Sequence, residues 1–239
     1  MPRSSPPVEP VELVPWDQLR GSLRWQQGEH VALVGPTGAG KTTAALSLVE
    51  LRRERGGFVG FLSTKPHDST LGQLKRNGWR TVTDWPPAAG LSAVIVHAPL
   101  TSLADGPRVG AVIGRALDGM YRAGHWCVVM DDLQVLNDTC GLHRMTRMLL
   151  LNARSSKVSI VASTQRPRWV PREVWTQSTH LLIWRCVDAD DLRALAGLGN
   201  ADTDRVRATV RALDFDRHEC LYVNTRSGRL ARTVLPRNP

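Results

Sequence analysis

A chain of 239 residues, 42% hydrophobic and 22% charged, is long enough for one globular domain with a sizeable core and too short for two full ones. Its net charge of +9 favours an acidic partner, and only four of its 31 basic residues are lysine: Lys41, Lys65, Lys75 and Lys157. Four scattered cysteines (Cys127, Cys140, Cys186, Cys220) with no Cys-x-x-Cys pair exclude a zinc module or a disulfide scaffold, and no apolar run approaches the roughly 18 residues that span a bilayer.

The opening MPRSSPPVEP has no apolar centre of the kind a secretory signal needs. Pro2, Pro6, Pro7, Pro10 and Pro15 predict an extended arm over residues 1–15, with a single folded domain over 16–239. From His30 onward, short apolar runs alternate with helical patterns. Strands are expected at His30–Val34, Phe58–Ser63, Ser92–His97, Trp126–Met130, Val158–Ala162 and His180–Trp184. Helices are expected at Lys41–Arg55, Thr70–Asn77, Pro107–Arg122, His143–Arg154, Asp190–Leu198 and Asp202–Leu213. Between Pro107 and Arg122 the apolar residues Val109, Val112, Ile113, Ala116, Leu117 and Met120 mark one helix face. Two runs either side of Ser227-Gly228, Glu219–Asn224 and Leu230–Leu235, read as a hairpin. The class is α/β with a mainly parallel central sheet flanked by helices and a C-terminal β-hairpin.

The first expected strand runs into Gly35-Pro36-Thr37-Gly38-Ala39-Gly40-Lys41-Thr42-Thr43, which fits G-x-x-x-x-G-K-[ST] and opens a helix. From this composition an accidental match has a probability of roughly 0.4%. Glycines let the backbone turn its N–H groups onto phosphate oxygens, and the helix N-terminus faces the same anion. Lys41 would reach the β- and γ-phosphates, and the Thr42 hydroxyl would ligate Mg²⁺. The apolar strand Trp126–Met130 ends in Asp131-Asp132. Asp131 would hold the metal through its water shell, and Asp132 would polarise the attacking water. A third strand runs into Ser163-Thr164-Gln165-Arg166-Pro167, where Gln165 is the candidate for contact with both γ-phosphate and water.

Together GPTGAGKTT, VVMDDL (Val128–Leu133) and LLNARSSKVSIVASTQRP (Leu150–Pro167) resemble the HerA–FtsK superfamily of P-loop DNA motors over about residues 30–200. The resemblance implies a RecA-like (ASCE) P-loop NTPase fold, with the glutamine strand between the Walker A and Walker B strands. It also implies ATP and Mg²⁺ as cofactors, self-association into a ring, usually a hexamer, and translocation of double-stranded DNA. By the same resemblance Arg154 matches the arginine that reaches a neighbouring subunit's ATP, with Arg185 and Arg166 as alternatives. The chain departs from the family in two places. The second acid of the Walker B pair is commonly Glu, and here it is Asp132. The second strand often ends in an acid before Lys-Pro, and here it reads Ser63-Thr64-Lys65-Pro66. A motor core of this size looks most like the genome-packaging ATPases of tailless membrane-containing viruses. That implies capsid or vertex proteins as further partners and a location in the host cytoplasm or on the virion, while the lack of a long apolar run implies no membrane insertion.

Between Cys140 and Cys186 stand eight basic residues and one acid, Glu173, so this stretch holds most of the excess positive charge. On a helix, Arg144, Arg147 and Arg154 fall within about 80° of one another. Arg144 and Arg147 are the candidates for DNA phosphates, while Met145, Met148, Leu149 and Asn152 form the face suited to the sheet. A second reading of the same residues is a nucleotide-gated assembly or DNA-binding protein that hydrolyses slowly and moves nothing. A small GTPase is disfavoured because no Asn-Lys-x-Asp motif follows the phosphate loop.

Overall fold

A computed structural model describes residues 10–195 and 197–236. Among them the strands are β1 (His30–Val34), β2 (Phe58–Ser63), β3 (Arg80–Val82), β4 (Ala93–His97), β5 (Trp126–Met130), β6 (Ser159–Thr164), β7 (Ser178–Trp184), β8 (Glu219–Asn224) and β9 (Leu230–Val234). The helices are α1 (Trp16–Ser22), α2 (Lys41–Glu54), α3 (Ser69–Arg76), α4 (Gly106–Ala123), α5 (His143–Asn152), α6 (Glu173–Thr176), α7 (Ala189–Ala194) and α8 (Thr203–Ala212). One sheet runs β3-β4-β2-β5-β6-β1-β7-β8-β9. The strands from β3 across to β7 pair in parallel. The hairpin β8–β9 closes one edge antiparallel. β6 lies between β1 and β5, the order the family resemblance implies.

Helices cover both faces, so the inner strands are buried on both sides and read as continuous apolar runs. Side chains alternate across each strand. Val34, Val128, Met130, Ile160 and Ala162 join one core under α4 and α5, where Val109, Ile113, Leu117 and Met120 supply the helix face. Leu33, Val129, Val161 and Phe61 join the other, under α1 and α2, with Trp16, Leu19, Leu48 and Val49. Ser102 and Asp105 form a reciprocal cap just before α4, and Gly124 ends that helix at φ 69°.

Three expectations need correction. The arm over 1–15 lies largely outside the described residues, but its last part belongs to the fold. The Arg232 N–H donates to Glu12 O at 2.7 Å and the Val14 N–H to Arg232 O at 2.8 Å, and Val11 and Val14 are buried. On α5 the buried face is Thr146, Leu149 and Leu150, while Met148 is 54% exposed and Asn152 is exposed too. Helix α7 stops at Ala194, short of the expected Leu198. The short elements α1 and β3 had no counterpart in the sequence pattern.

Candidate phosphate-binding site

The loop Gly35–Thr43 leaves the C-terminal end of β1 and enters α2, at the sheet edge where doubly wound folds bind ligands. Its glycines are required by what they touch. A Cβ at Gly35 would stand 2.7 Å from Cβ of Trp184, which is fully buried beneath the loop. Gly40 has φ 104°, and a Cβ there would meet Leu235 Cδ1 at 3.2 Å. No side chain caps the N-terminus of α2, so its first N–H groups are open to an anion. Lys41 arches back over the loop, Nζ donating to the carbonyls of Gly35 at 2.7 Å and Pro36 at 2.8 Å. Burial pulls its ammonium down to about 8, although Asp131 and Asp132 nearby favour the charge.

Beyond the loop stand the acids. Asp131, at the tip of β5, is buried. Its Oδ1 accepts from Thr42 Oγ1 at 3.4 Å and its Oδ2 from Lys65 Nζ at 2.7 Å. A threonine hydroxyl beside a carboxylate is a hard-oxygen pair, and these two residues fit a Mg²⁺ ion. Asp132 adopts the left-handed conformation, φ 63°, and its Oδ1 accepts from the Val135 N–H at 3.4 Å, opening the π-helical turn Val135–Thr139. Aspartate tolerates that backbone better than most residues.

A cleft of about 420 Å³ joins these groups. Thr37, Gly38, Gly40, Lys41, Thr42 and Thr43 form its base, Asp131 and Asp132 one side, and Gln165, exposed at the end of β6, its back. Gly35, Pro36 and Ala39 complete the loop, with Ala39 buried beneath it. The phosphate loop, both aspartates and Gln165 therefore lie around one cleft.

In the sequence Lys65 stands out only as a departure from the family pattern. It reaches the cleft from the end of β2. Burial opposes its charge, but the ion pair with Asp131, helped by Asp68 and Asp132, outweighs burial and raises its pKa. The scarcity of lysine was the available signal, since two of the four stand in this cleft. His218, Leu235 and Pro236 close the remaining wall, and no motif announced them.

The candidate arginines lie apart from one another. Arg154 is exposed at the opposite edge of the sheet, where a Cβ at Gly28, two residues before β1, would lie 3.0 Å from its carbonyl oxygen. Five residues of β1 separate that edge from the phosphate loop, roughly 16 Å, so Arg154 does not reach this chain's own cleft. Arg166 is held by Asp188 and Asp191 at 2.8 Å each. Arg185 lies exposed in an adjoining cleft beside Gly35, Pro36 and Thr37, without a carboxylate partner among the described residues. Arg144 and Arg147 are exposed on α5, but Arg147 Nε already donates to Glu173 Oε1 at 2.7 Å. Arg168 pairs with Asp190 at 3.2 Å. The basic stretch is thus partly neutralised within the chain.

Sheet order, loop and paired acids define the fold of a RecA-like P-loop NTPase. Solved structures of that fold are similar to this chain. One is B204, the DNA-packaging ATPase from Sulfolobus Turreted Icosahedral Virus, with a TM-score of 0.65 and 12% identity over 90% of this chain and 100% of that one. Another is the genome packaging NTPase B204 from Sulfolobus turreted icosahedral virus 2 in complex with AMPPCP, with a TM-score of 0.65 and 13% identity over 89% and 100%. VirB4 of Thermoanaerobacter pseudethanolicus gives a TM-score of 0.66 and 11% identity over 88% and 90%. No family model matches the chain, and no curated protein matches its sequence. No helix among the described residues is long and apolar enough to cross a membrane.

Proposed function

We propose that this protein is an ATPase, the subunit of a ring, hexameric by family resemblance, that hydrolyses Mg·ATP to move double-stranded DNA. Packaging of a viral genome in the host cytoplasm is the process that best suits its size and its similarity to the B204 proteins. The observation that carries the reading is the convergence of Lys41, Thr42, Asp131, Asp132 and Gln165 on one cleft at the end of the phosphate-loop strand.

The roles follow from position. Backbone N–H groups of Gly38 to Thr42 and the Lys41 ammonium hold the phosphates, after Lys41 exchanges its two loop carbonyls for phosphate oxygens. Thr42 and Asp131 would hold Mg²⁺, which would supply neutralisation of the charge developing on the transferred phosphoryl group. Lys65, paired with Asp131 at 2.7 Å, would stand beside the phosphates as a second cation. Asp132, half-exposed and facing the cleft, takes up a proton from the attacking water as general base, while Gln165 orients that water. An arginine from a neighbouring copy, Arg154 first among the candidates, completes the charge stabilisation from outside.

The test separates binding from chemistry. Asp132→Asn is expected to keep Mg·ATP affinity while hydrolysis falls by about 10²–10⁴. Loss of Mg·ATP binding in that variant, with hydrolysis surviving in Asp131→Asn, would reverse the two assignments.

A further inference from the structure

The phosphate chemistry leaves one wall of the cleft unassigned. His218, Leu235 and Pro236 come from the C-terminal hairpin, His218 immediately before β8 and the other two immediately after β9. The sheet order sets this wall across β1 from the acids, since β5 and β6 lie on one side of the phosphate-loop strand and β7, β8 and β9 on the other. It sits directly on the loop. A Cβ at Gly40 would meet Leu235 Cδ1 at 3.2 Å and His218 Cβ at 3.8 Å, and the Leu235 N–H donates to His218 O at 3.4 Å.

His218 is held in an unusual state for a residue with no assigned task. Its backbone is left-handed, φ 54°, and its Nδ1 is buried without a hydrogen-bond partner. Its Nε2 has no partner among the described residues and is not among their buried unpartnered atoms, so it remains accessible from the cleft. Trp184, packed under the same loop, has a buried and unpartnered indole N–H 3.8 Å from the Gly40 Cβ position.

A phosphate chain on this loop has a direction. Its terminal group points to Asp131, Asp132 and Gln165, so whatever is attached to the other end leaves toward the hairpin. Space continues there. A smaller cleft of about 170 Å³ along α2 and α3 shares Thr43 and Pro236 with the phosphate cleft and has Leu46 and Leu74 in its lining. We infer that His218, Leu235, Pro236 and Thr43 form the subsite for the nucleoside end of the ligand. Leu235 and Pro236 give a purine an apolar surface, and the His218 imidazole supplies the stacking or polar contact. This assignment rests on the phosphate reading above.

Equilibrium titration of the full chain with Mg·ATP and with inorganic tripolyphosphate tests it, in the parent protein, His218→Ala and His218→Gly. The glycine variant keeps the left-handed backbone available, so strain and contact are separated. The parent should bind ATP more tightly than tripolyphosphate, and both variants should lose about tenfold in ATP affinity, the equivalent of one stacking contact, with tripolyphosphate binding unchanged. Equal weakening of both ligands would overturn the subsite, because His218 would then act on the phosphates or the loop. So would ATP affinity unchanged in both variants. Failure of the parent protein to bind either ligand would instead overturn the phosphate reading itself.

Discussion

Lys41 carries its charge in a partly buried loop, and burial pulls its pKa to about 8. The charged form is the one that attracts phosphate. In the free protein that form is fully present well below pH 8 and is lost as pH rises through it. Affinity for tripolyphosphate, measured from pH 6.5 to 9.5, should therefore be highest at the acid end and decline on passing about pH 8, where this lysine loses its proton. A flat profile would mean that backbone donors alone hold the anion. At this scale the sequence was legible wherever chemistry needs consecutive residues. The phosphate loop and the Asp131-Asp132 pair each lie within one turn between elements, so spacing alone announces them. Lys65 and His218 reach the same cleft from the ends of other strands, and only the strand order brings them there.

Elements are tied together by close backbone approach as much as by side-chain packing. A Cβ at Gly110 on α4 would lie 2.1 Å from Cys140 O, and one at Gly106 2.2 Å from Thr139 O. The segment after Asp131-Asp132 therefore lies directly on α4, where no residue larger than glycine fits. Gly110→Ala is expected to destabilise the protein by about 1–3 kcal/mol through overpacking against backbone. The denaturant midpoint measures this, and an unchanged midpoint would show that the segment yields freely. Strands on both sides of this contact were readable because a doubly buried strand is a nearly unbroken apolar run. The face of α5 was misread because two apolar rows offer themselves at helical spacing. Met145, Met148 and Leu149 make one row, and Leu149, Leu150 and Ala153 make the other. Only the position of the sheet selects the second. β3 and α1 are too short to leave a period.

At the scale of the whole molecule, the placement of Arg154 constrains how copies would meet in the proposed ring. It lies across the sheet from its own phosphate loop, so any part it takes in hydrolysis is played on a neighbour. Arg154→Ala should fold, bind ATP and hydrolyse it about 10³–10⁵ times more slowly. Mixing it with Lys41→Ala subunits should restore part of the activity, since one kind supplies an intact phosphate site and the other an intact arginine. No rescue in a confirmed mixed ring would transfer the role to Arg185 or Arg166. Among the described residues, Arg144, Arg154, Lys157, Arg172 and Arg185 remain without carboxylate partners in the basic stretch. In the proposed motor, those of them other than Arg154 would be the charges available to DNA phosphates.

Steady-state hydrolysis of Mg·ATP by the assembled protein, with and without long duplex DNA and over a rising salt series, addresses the central claim directly. Hydrolysis should be stimulated by duplex of any sequence, and the stimulation should fade steeply as salt rises, because phosphate contacts release counterions. Hydrolysis that is indifferent to duplex DNA at low salt would contradict the account and leave a nucleotide-gated protein that moves nothing.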